Sequence, residues 1–405
     1  VAGEVGMGNR INTVMQPCFF KLSGVLPEEE AITHIKEFVE KAYGKRGEKV
    51  VQRNFAAIDR SLERLHKVET GPAPASVEIA AIVPDGAPDF VKDVTARIMA
   101  GQGDLLPVSA FPVDGSFATA TAKWEKRAIA QEIPIWDESV CIDCAKCAMV
   151  CPHAAIRMKV YPDSELARLS GDFRSKDFRS RDLENHKITI QVAPDDCTGC
   201  GVCVDVCPAK SKTEVRHKAI NMRPYMDTAD AERTRWDEFL SIPELDRSAI
   251  ARDTNKGSQV LEPLFEFSGA CSGCGETPYV KLVSQLFGDR MIVANATGCS
   301  SIYGGNLPTT PWAVNAAGRG PAWNNSLFED NAEFGLGMRL ALDVQTKHAR
   351  ALLAKLAPTV GPELADEILA NQQADEASIA HQRALVDRLR HGLAGIGGEA
   401  KADAD

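Results

Sequence analysis

The chain has 405 residues, 44% of them hydrophobic, with 46 basic against 56 acidic side chains and a formal net charge of −10. That length allows about two to four domains with cores of their own, and the composition excludes collagen-like, mucin-like and wholly disordered classes. No apolar run approaches the roughly 18 residues of a membrane span, and the acidic balance argues against non-specific nucleic-acid binding, so neither membrane nor nucleic acid is expected as a partner. The opening Val1-Ala-Gly-Glu-Val-Gly-Met7 has no initiator Met, basic n-region or apolar h-region. It shows no secretory signal and reads as the interior of a longer polypeptide.

Ile32, Ile35, Phe38, Val39 and Tyr43 stand near helical spacing and predict a helix over Glu28–Tyr43, whose N-terminus Glu28, Glu29 and Glu30 suit. A second helix is predicted from Asn54 through Val68. The Pro- and Gly-punctuated stretch from Thr70 to Gly115 reads as connection, with one helix near Asp89–Ala100. Cys18, between Gln16-Pro17 and Phe19-Phe20, reads as a buried, inert thiol.

Eleven of the twelve cysteines fall between positions 141 and 299. Their density is far below that of a disulfide scaffold, and the C-x-x-C spacing suits metal-binding thiolates in a reducing, cytoplasmic compartment. Cys141-Ile-Asp-Cys144-Ala-Lys-Cys147-Ala-Met-Val-Cys151-Pro152 fits C-x-x-C-x-x-C-x-x-x-C-P, and Cys197-Thr-Gly-Cys200-Gly-Val-Cys203-Val-Asp-Val-Cys207-Pro208 repeats it. Three thiolates on a tight loop reach three irons of one [4Fe–4S] cube, and the fourth, beyond the loop and before Pro, ligates the other cube. One cluster is therefore predicted on Cys141, Cys144, Cys147 and Cys207, the other on Cys197, Cys200, Cys203 and Cys151. Zinc is the competing metal, since C-x-x-C pairs also build tetrahedral zinc sites.

The two runs resemble the halves of a bacterial two-cluster ferredoxin separated by an insertion. Ala154–Val160 and Lys187–Val192 read as short strands, and the polar stretch Ser170–Arg181 as a surface excursion. His153 is expected beside a cluster loop without being a ligand. Further on, Cys271-Ser-Gly-Cys274 and Thr297-Gly-Cys299 supply three more thiolates and lack a fourth, which is expected beyond residue 405 rather than at Cys18.

Leu264-Phe-Glu-Phe-Ser-Gly-Ala-Cys-Ser-Gly-Cys-Gly-Glu-Thr-Pro-Tyr279 and Asn295-Ala-Thr-Gly-Cys-Ser-Ser-Ile-Tyr-Gly-Gly-Asn-Leu-Pro-Thr-Thr-Pro-Trp312 closely resemble the pyruvate:ferredoxin (flavodoxin) oxidoreductases. Asn9–Pro27, Trp124–Ala130 and Cys151–Arg157 extend the resemblance, which covers about residues 9 to 340. The family chain is longer at both ends. Its pyruvate-binding N-terminal domains and its motif for diphosphate and magnesium have no counterpart here.

The resemblance implies a multidomain α/β and α+β architecture. Its parts are the end of a gamma-type α/β domain at 1–68, a connecting region at 69–117 and a two-cluster ferredoxin-like domain at 118–225. A linker at 226–261, the start of a thiamine-diphosphate-binding domain at 262–340 and a helical segment at 341–405 follow. It further implies oxidative decarboxylation of pyruvate with coenzyme A, giving acetyl-CoA and carbon dioxide. A thiamine thiazolium takes the charge left on the acyl carbon, and three [4Fe–4S] clusters carry electrons to ferredoxin or flavodoxin. The cluster on Cys271, Cys274 and Cys299 is then the one nearest thiamine diphosphate and its Mg2+, with Glu276 and Cys299 against the cofactor and Asn12 and Asn54 toward coenzyme A. The implied whole enzyme is a cytoplasmic homodimer. This stretch carries its electron relay and is not expected to turn over alone. A stand-alone multi-cluster electron-transfer protein and an oxidoreductase for another 2-oxoacid are the alternatives.

Overall fold

The computed structural model describes residues 1–8, 10–71, 81–180, 183–305 and 308–396, in two compact units, Val1–Ala80 and Ala81–Asp405. The first unit holds helices α1 (Asn12–Ser23), α2 (Glu28–Tyr43) and α3 (Glu48–Arg64). The bounds of α2 are those its apolar spacing predicts. The next helix starts earlier than the predicted Asn54, because Gly47 with φ +102 forms the break, and it ends before Val68. Ile35 and Val39 of α2 pack on Val51 and Ile58 of α3. Among the described residues this unit forms no strand, so the expected end of an α/β domain is represented by helices alone.

In the second unit, the Pro-rich approach holds one helical stretch inside the predicted 89–100, Val91–Thr95 running into α4 (Ala96–Met99), followed by single 3-10 turns at Gly103–Leu105 and Val108–Ala110. Residues 72–80 of the expected connection lie outside the described residues. Strand β1 (Glu132–Trp136) is followed by the short helix α5 (Lys146–Met149), β2 (Ile156–Pro162), β3 (Lys176–Asp177) and β4 (His186–Val192). A second short helix, α6 (Val202–Asp205), precedes β5 (Ile220–Pro224). β1 pairs antiparallel with β5, and β2 pairs antiparallel with β4 in a register that sets Ile156 opposite Val192. Ile133, Met158, Val160, Ile188, Ile190 and Ile220 share one core with Cys147, Cys197, Cys203 and Cys207. The candidate ligands are thus part of the packing and not an addition to it.

The polar excursion expected at 170–181 needs correcting. Lys176 and Asp177 pair with Ile188 and Lys187, and Phe173 and Phe178 are buried, so the stretch adds a strand to the sheet. Two aromatic side chains outweigh the charged ones around them, since each buries far more apolar area.

The expected linker at 226–261 is likewise ordered. Helix α7 (Tyr225–Ser241) packs on β4 and lays Trp236 and Phe239 against side chains of β2. There Arg157 lies 5.2 Å over Trp236 and Lys159 5.2 Å over Phe239, each stem against a ring and each charge beside its π face. A buried carboxylate on this helix, Glu232, is held by Arg174 at 3.2 Å, Arg235 at 2.8 Å and Gln191 at 2.7 Å.

Beyond it run α8 (Asn255–Val260), α9 (Thr277–Phe287), β6 (Ile292–Asn295), α10 (Cys299–Gly305) and β7 (Ala322–Asn325), with β6 and β7 parallel. Helix α11 (Asn331–Val360) passes without interruption through the boundary expected at 340, and α12 (Pro362–Ala370) and α13 (Glu376–Leu393) fold back on its end around Leu353, Ala365, Ile368 and Leu385. Among the described residues no helix is long and apolar enough to cross a membrane.

Candidate metal centres

The two cysteine runs adopt the same backbone twice. The residue before the second Cys is left-handed in each, Asp143 with φ +58 and Gly199 with φ +67, and so is the residue after it, Ala145 with φ +60 and Gly201 with φ +76. This turns the loop so that a main-chain N–H points at the first thiol: Asp143 N–H donates to Cys141 Sγ and Gly199 N–H to Cys197 Sγ, both at 3.4 Å. The second run uses Gly at both left-handed positions. The first uses Asp and Ala, accepting about 1 kcal/mol of strain at each. Asp143 is buried and lies 3.1 Å from Lys176, whose ammonium also donates to the Cys141 carbonyl.

The thiols are grouped across the two runs. Burial first, then the charges of Cys141, Cys144 and Cys207, push the Cys147 thiol far up. Burial, with Cys151 and Cys200 next to it, pushes Cys197 up to about 12 against the pull of the Gly199 N–H. Cys203 is raised by burial and by Cys151, Cys147, Cys197 and Cys200. Cys207 is thus among the charges acting on Cys147 of the first loop, Cys151 acts on Cys197 and Cys203 of the second, and Cys203 also feels Cys147. Crowded, buried thiols of this kind favour a cationic group that neutralises them together.

Among the described residues, no three His, Cys, Asp or Glu side chains close around a point that one metal ion could fill. Tetrahedral zinc with Zn–S bonds of about 2.3 Å draws its four sulfurs together, whereas a cube with an iron at each corner takes thiolates standing further apart. The repeated C-x-x-C-x-x-C-x-x-x-C-P runs suit [4Fe–4S], whose cube takes one thiolate at each iron.

The third cysteine loop repeats the turn, with Gly273 before Cys274 at φ +73. It leads into α9, where the N–H groups of Thr277 and Glu276 and the Thr277 hydroxyl outweigh partial burial and hold the Cys274 thiol below its ordinary range. Cys299 opens α10, whose start is tied down by Asn295 Nδ2 donating to Ser301 Oγ at 3.2 Å and to Asn325 Oδ1 at 2.7 Å. Cys271 and Cys299 are exposed. One helical turn after Cys299, the Tyr303 hydroxyl donates to Glu276 Oε1 at 2.8 Å. Burial, Glu276, Cys274 and Cys299 together raise that phenol, which places all three within its electrostatic reach.

This loop sits on the second run. Ser272 Oγ donates to the Thr198 carbonyl at 3.4 Å, and a Cβ on Gly273 would stand 3.7 Å from Cys200 Cβ. His153 is buried and holds the Ser268 carbonyl at 3.1 Å through Nδ1, joining the segment after Cys151 to the strand-like approach to Cys271. Helix α9 supplies a further contact. Its Lys281 is fully buried and donates to the carbonyls of Ala148 and, at 3.1 Å, Met149. Burial lowers the ammonium to about 8, with Cys151 and Cys147 pulling it back up and Arg157 pushing down, so it is cationic at neutral pH. Neither Lys281 nor Tyr303 is marked by the cysteine spacing.

Two candidates in the first unit are placed differently. Asn12 begins α1 and is exposed. Asn54 is buried in α3, where its Oδ1 accepts from the Thr13 hydroxyl at 3.0 Å and its Nδ2 donates to the Val50 carbonyl at 2.8 Å. Its amide is thus occupied in joining α1 to α3. Cys18 is half-buried and points to the Ser61 carbonyl at 3.8 Å.

Comparison with known proteins covers the same stretches. Residues 140–211 match the family model of a 4Fe-4S dicluster domain, and residues 77–130 that of EKR, a domain of unknown function. The chain is 58% identical over 398 residues to pyruvate-flavodoxin oxidoreductase of Trichormus variabilis and 52% identical over 400 residues to that of Rhodospirillum rubrum. These alignments take in 97% and 98% of this chain and 33% of each relative. The pyruvate:ferredoxin oxidoreductase of Moorella thermoacetica is 50% identical over 346 residues, 84% of this chain and 29% of that protein. The chain spans about a third of the length of the curated relatives it matches, and over that third, dicluster ferredoxin-like region included, it is a homologue of the pyruvate-flavodoxin oxidoreductases.

Proposed function

We propose that this chain is the electron-relay portion of an oxidoreductase that cleaves pyruvate with coenzyme A and delivers the electrons to flavodoxin or ferredoxin. The observation that carries this reading is the chain of contacts between three thiol sets: the Cys271–Cys274 loop lies on Cys200, and Cys203 lies beside Cys147. Cubes held by these sets take up and release single electrons. Cys141, Cys144, Cys147 and Cys207 would hold one, and Cys197, Cys200, Cys203 and Cys151 the second. Cys271, Cys274 and Cys299, with a ligand from elsewhere in the whole protein, would hold the third.

The protein's own residues do the rest. Main-chain N–H groups point at Cys141, Cys197 and Cys274, and each such bond stabilises a thiolate over a thiol. Glu276 is oriented by Tyr303 beside Cys274 and Cys299, where a carboxylate in contact with thiamine diphosphate is proposed. Glu276 and Cys299 alone do not make a cofactor site, because diphosphate and its Mg2+ need oxygen ligands that these motifs do not bring. Contacts to coenzyme A from Asn12 and Asn54 remain proposals, as do the homodimer and the cytoplasmic location of the whole enzyme; a contact from Asn54 would require its amide to leave Thr13.

Anaerobic purification of the chain, followed by iron and sulfide assay and paramagnetic resonance of the reduced sample, tests the reading. About eight irons per chain with two interacting cubane signals are expected. Zinc in their place, with no low-potential signal, overturns it.

A further inference from the structure

Helix α9 is inverted. Its buried positions are Thr277, Lys281, Ser284 and Gln285, while Tyr279, Val283 and Phe287 are exposed. Three of the four buried groups have an evident structural task. Ser284 Oγ donates to the Lys281 carbonyl at 2.7 Å and accepts from the Leu264 N–H at 3.1 Å. Gln285 donates to the Leu261 carbonyl at 2.7 Å and accepts from Gln259 at 3.1 Å. Thr277 acts on the neighbouring Cys274 thiol and helps to hold it below its ordinary range.

Lys281 is different in kind, because it carries a whole charge into the interior. Burying an ammonium is costly unless an anion compensates it. Among the described residues no carboxylate lies within ion-pair distance; its hydrogen-bond partners are two neutral carbonyls, and the charges that favour its ammonium are the thiols of Cys151 and Cys147. Those two cysteines belong to different sets. The carbonyls it grips lie on the three residues, Ala148 to Val150, that join them, and the helix that carries it starts just after Cys274 of the third set.

We propose that Lys281 is a positioning residue for the electron relay: a fixed positive charge, seated between the Cys147 and Cys151 sets, that compensates the anionic clusters and holds their reduction potential up. A four-thiolate cube is a net anion that gains a further negative charge on reduction. A buried cation at close range favours the reduced form, and low local polarity strengthens the effect. The proposal rests on the relay reading above, and failure of that reading appears separately, as missing iron in the unmodified chain before any variant is compared.

The test uses Lys281→Met, Lys281→Gln and Lys281→Arg, purified anaerobically as full chains, with iron and sulfide assayed first. Potentiometric titration followed by paramagnetic resonance then gives the potentials. The neutral variants are expected to keep about eight irons and to show at least a tenfold lower ratio of reduced to oxidised cluster at fixed poise. That corresponds to about 59 mV more negative for a one-electron couple. The Arg variant is expected to stay near the parent. If both neutral variants fail to load while Arg loads, the charge itself is what the bound clusters require, which supports the proposal. Unchanged potentials in a loaded Met or Gln variant, or failure of all three to load, would mean that Lys281 acts by shape and hydrogen bonding only, and would overturn it.

Discussion

Tyr303 and Glu276 meet across 2.8 Å between the last turn of α10 and the start of α9, so the phenol fixes a carboxylate that its own loop leaves exposed. The ring is held edge-on against Phe265 at 5.9 Å and does not depend on the hydrogen bond for its place. Tyr303→Phe should therefore keep the fold, lower the unfolding free energy by about 1 kcal/mol and leave Glu276 mobile. Urea unfolding midpoints check the first effect, and a fluorine or carbon-13 label at Glu276 the second.

Crossed thiol sets make a prediction that pairing within each run does not. Cys151→Ala and Cys203→Ala should both remove about four irons and leave the same residual signal, no longer split by a neighbouring cube. Cys207→Ala should instead resemble Cys141→Ala. If Cys151→Ala matched Cys141→Ala, the sets would lie within each run and the crossing would be wrong.

Glu262 gives the second unit a dependence on pH. Burial, with Glu244 and Glu266 nearby and Arg157 and Lys159 opposing, raises its carboxyl to about 7 from 4.5. A raised carboxyl holds its proton longer in the folded state. The folded form therefore binds more protons than the unfolded one between about 4.5 and 7, and stability falls as pH rises through that window. Glu262→Gln removes the loss. The variant should match the parent near pH 4 and exceed it by roughly 1–3 kcal/mol at pH 8, read as the difference in urea midpoints at the two pH values.

The left-handed positions of the second loop are not equivalent. A Cβ on Gly201 meets open space, so Gly201→Ala costs only the conformational penalty of about 1 kcal/mol. A Cβ on Gly199 would stand 3.1 Å from the Glu132 carbonyl oxygen and 3.3 Å from Ala130 Cβ. Gly199→Ala should be the worse of the two and should disturb β1 as well as the loop. Thermal midpoints and iron retention rank them. At the matching place in the first loop, Ala145→Gly should stabilise by relieving its φ of +60.

The cysteine spacing marked a two-cluster ferredoxin-like region, and residues 140–211 match the family model of a 4Fe-4S dicluster domain. The strand-like composition of 154–160 and 187–192 located β2 and β4 within two residues at their ends. The covering of the sheet was harder to read. In α7 the residues that matter, Glu232, Trp236 and Phe239, are spread through a strongly charged stretch, and Arg157 and Lys159 look like surface residues until their stems lie on those rings. The strand at Lys176 was hidden in the same way, since Phe173 and Phe178 are isolated apolar residues among Ser, Arg and Asp. Lys281 had no signal at all: a lone lysine in a helix with exposed Tyr279 and Phe287 marks no buried face by periodicity.

The proposed crossing, with Cys151 serving the second loop and Cys207 the first, also has a bearing on synthesis. A chain leaving the ribosome presents Cys141, Cys144 and Cys147 long before anything can complete their set, because the last member is Cys207. The other set waits for Cys203. Neither half can be finished ahead of its neighbour, and both become complete within the same few residues of emerging chain. Until then the seven earlier thiols of the two runs are open to oxidation or to the wrong metal.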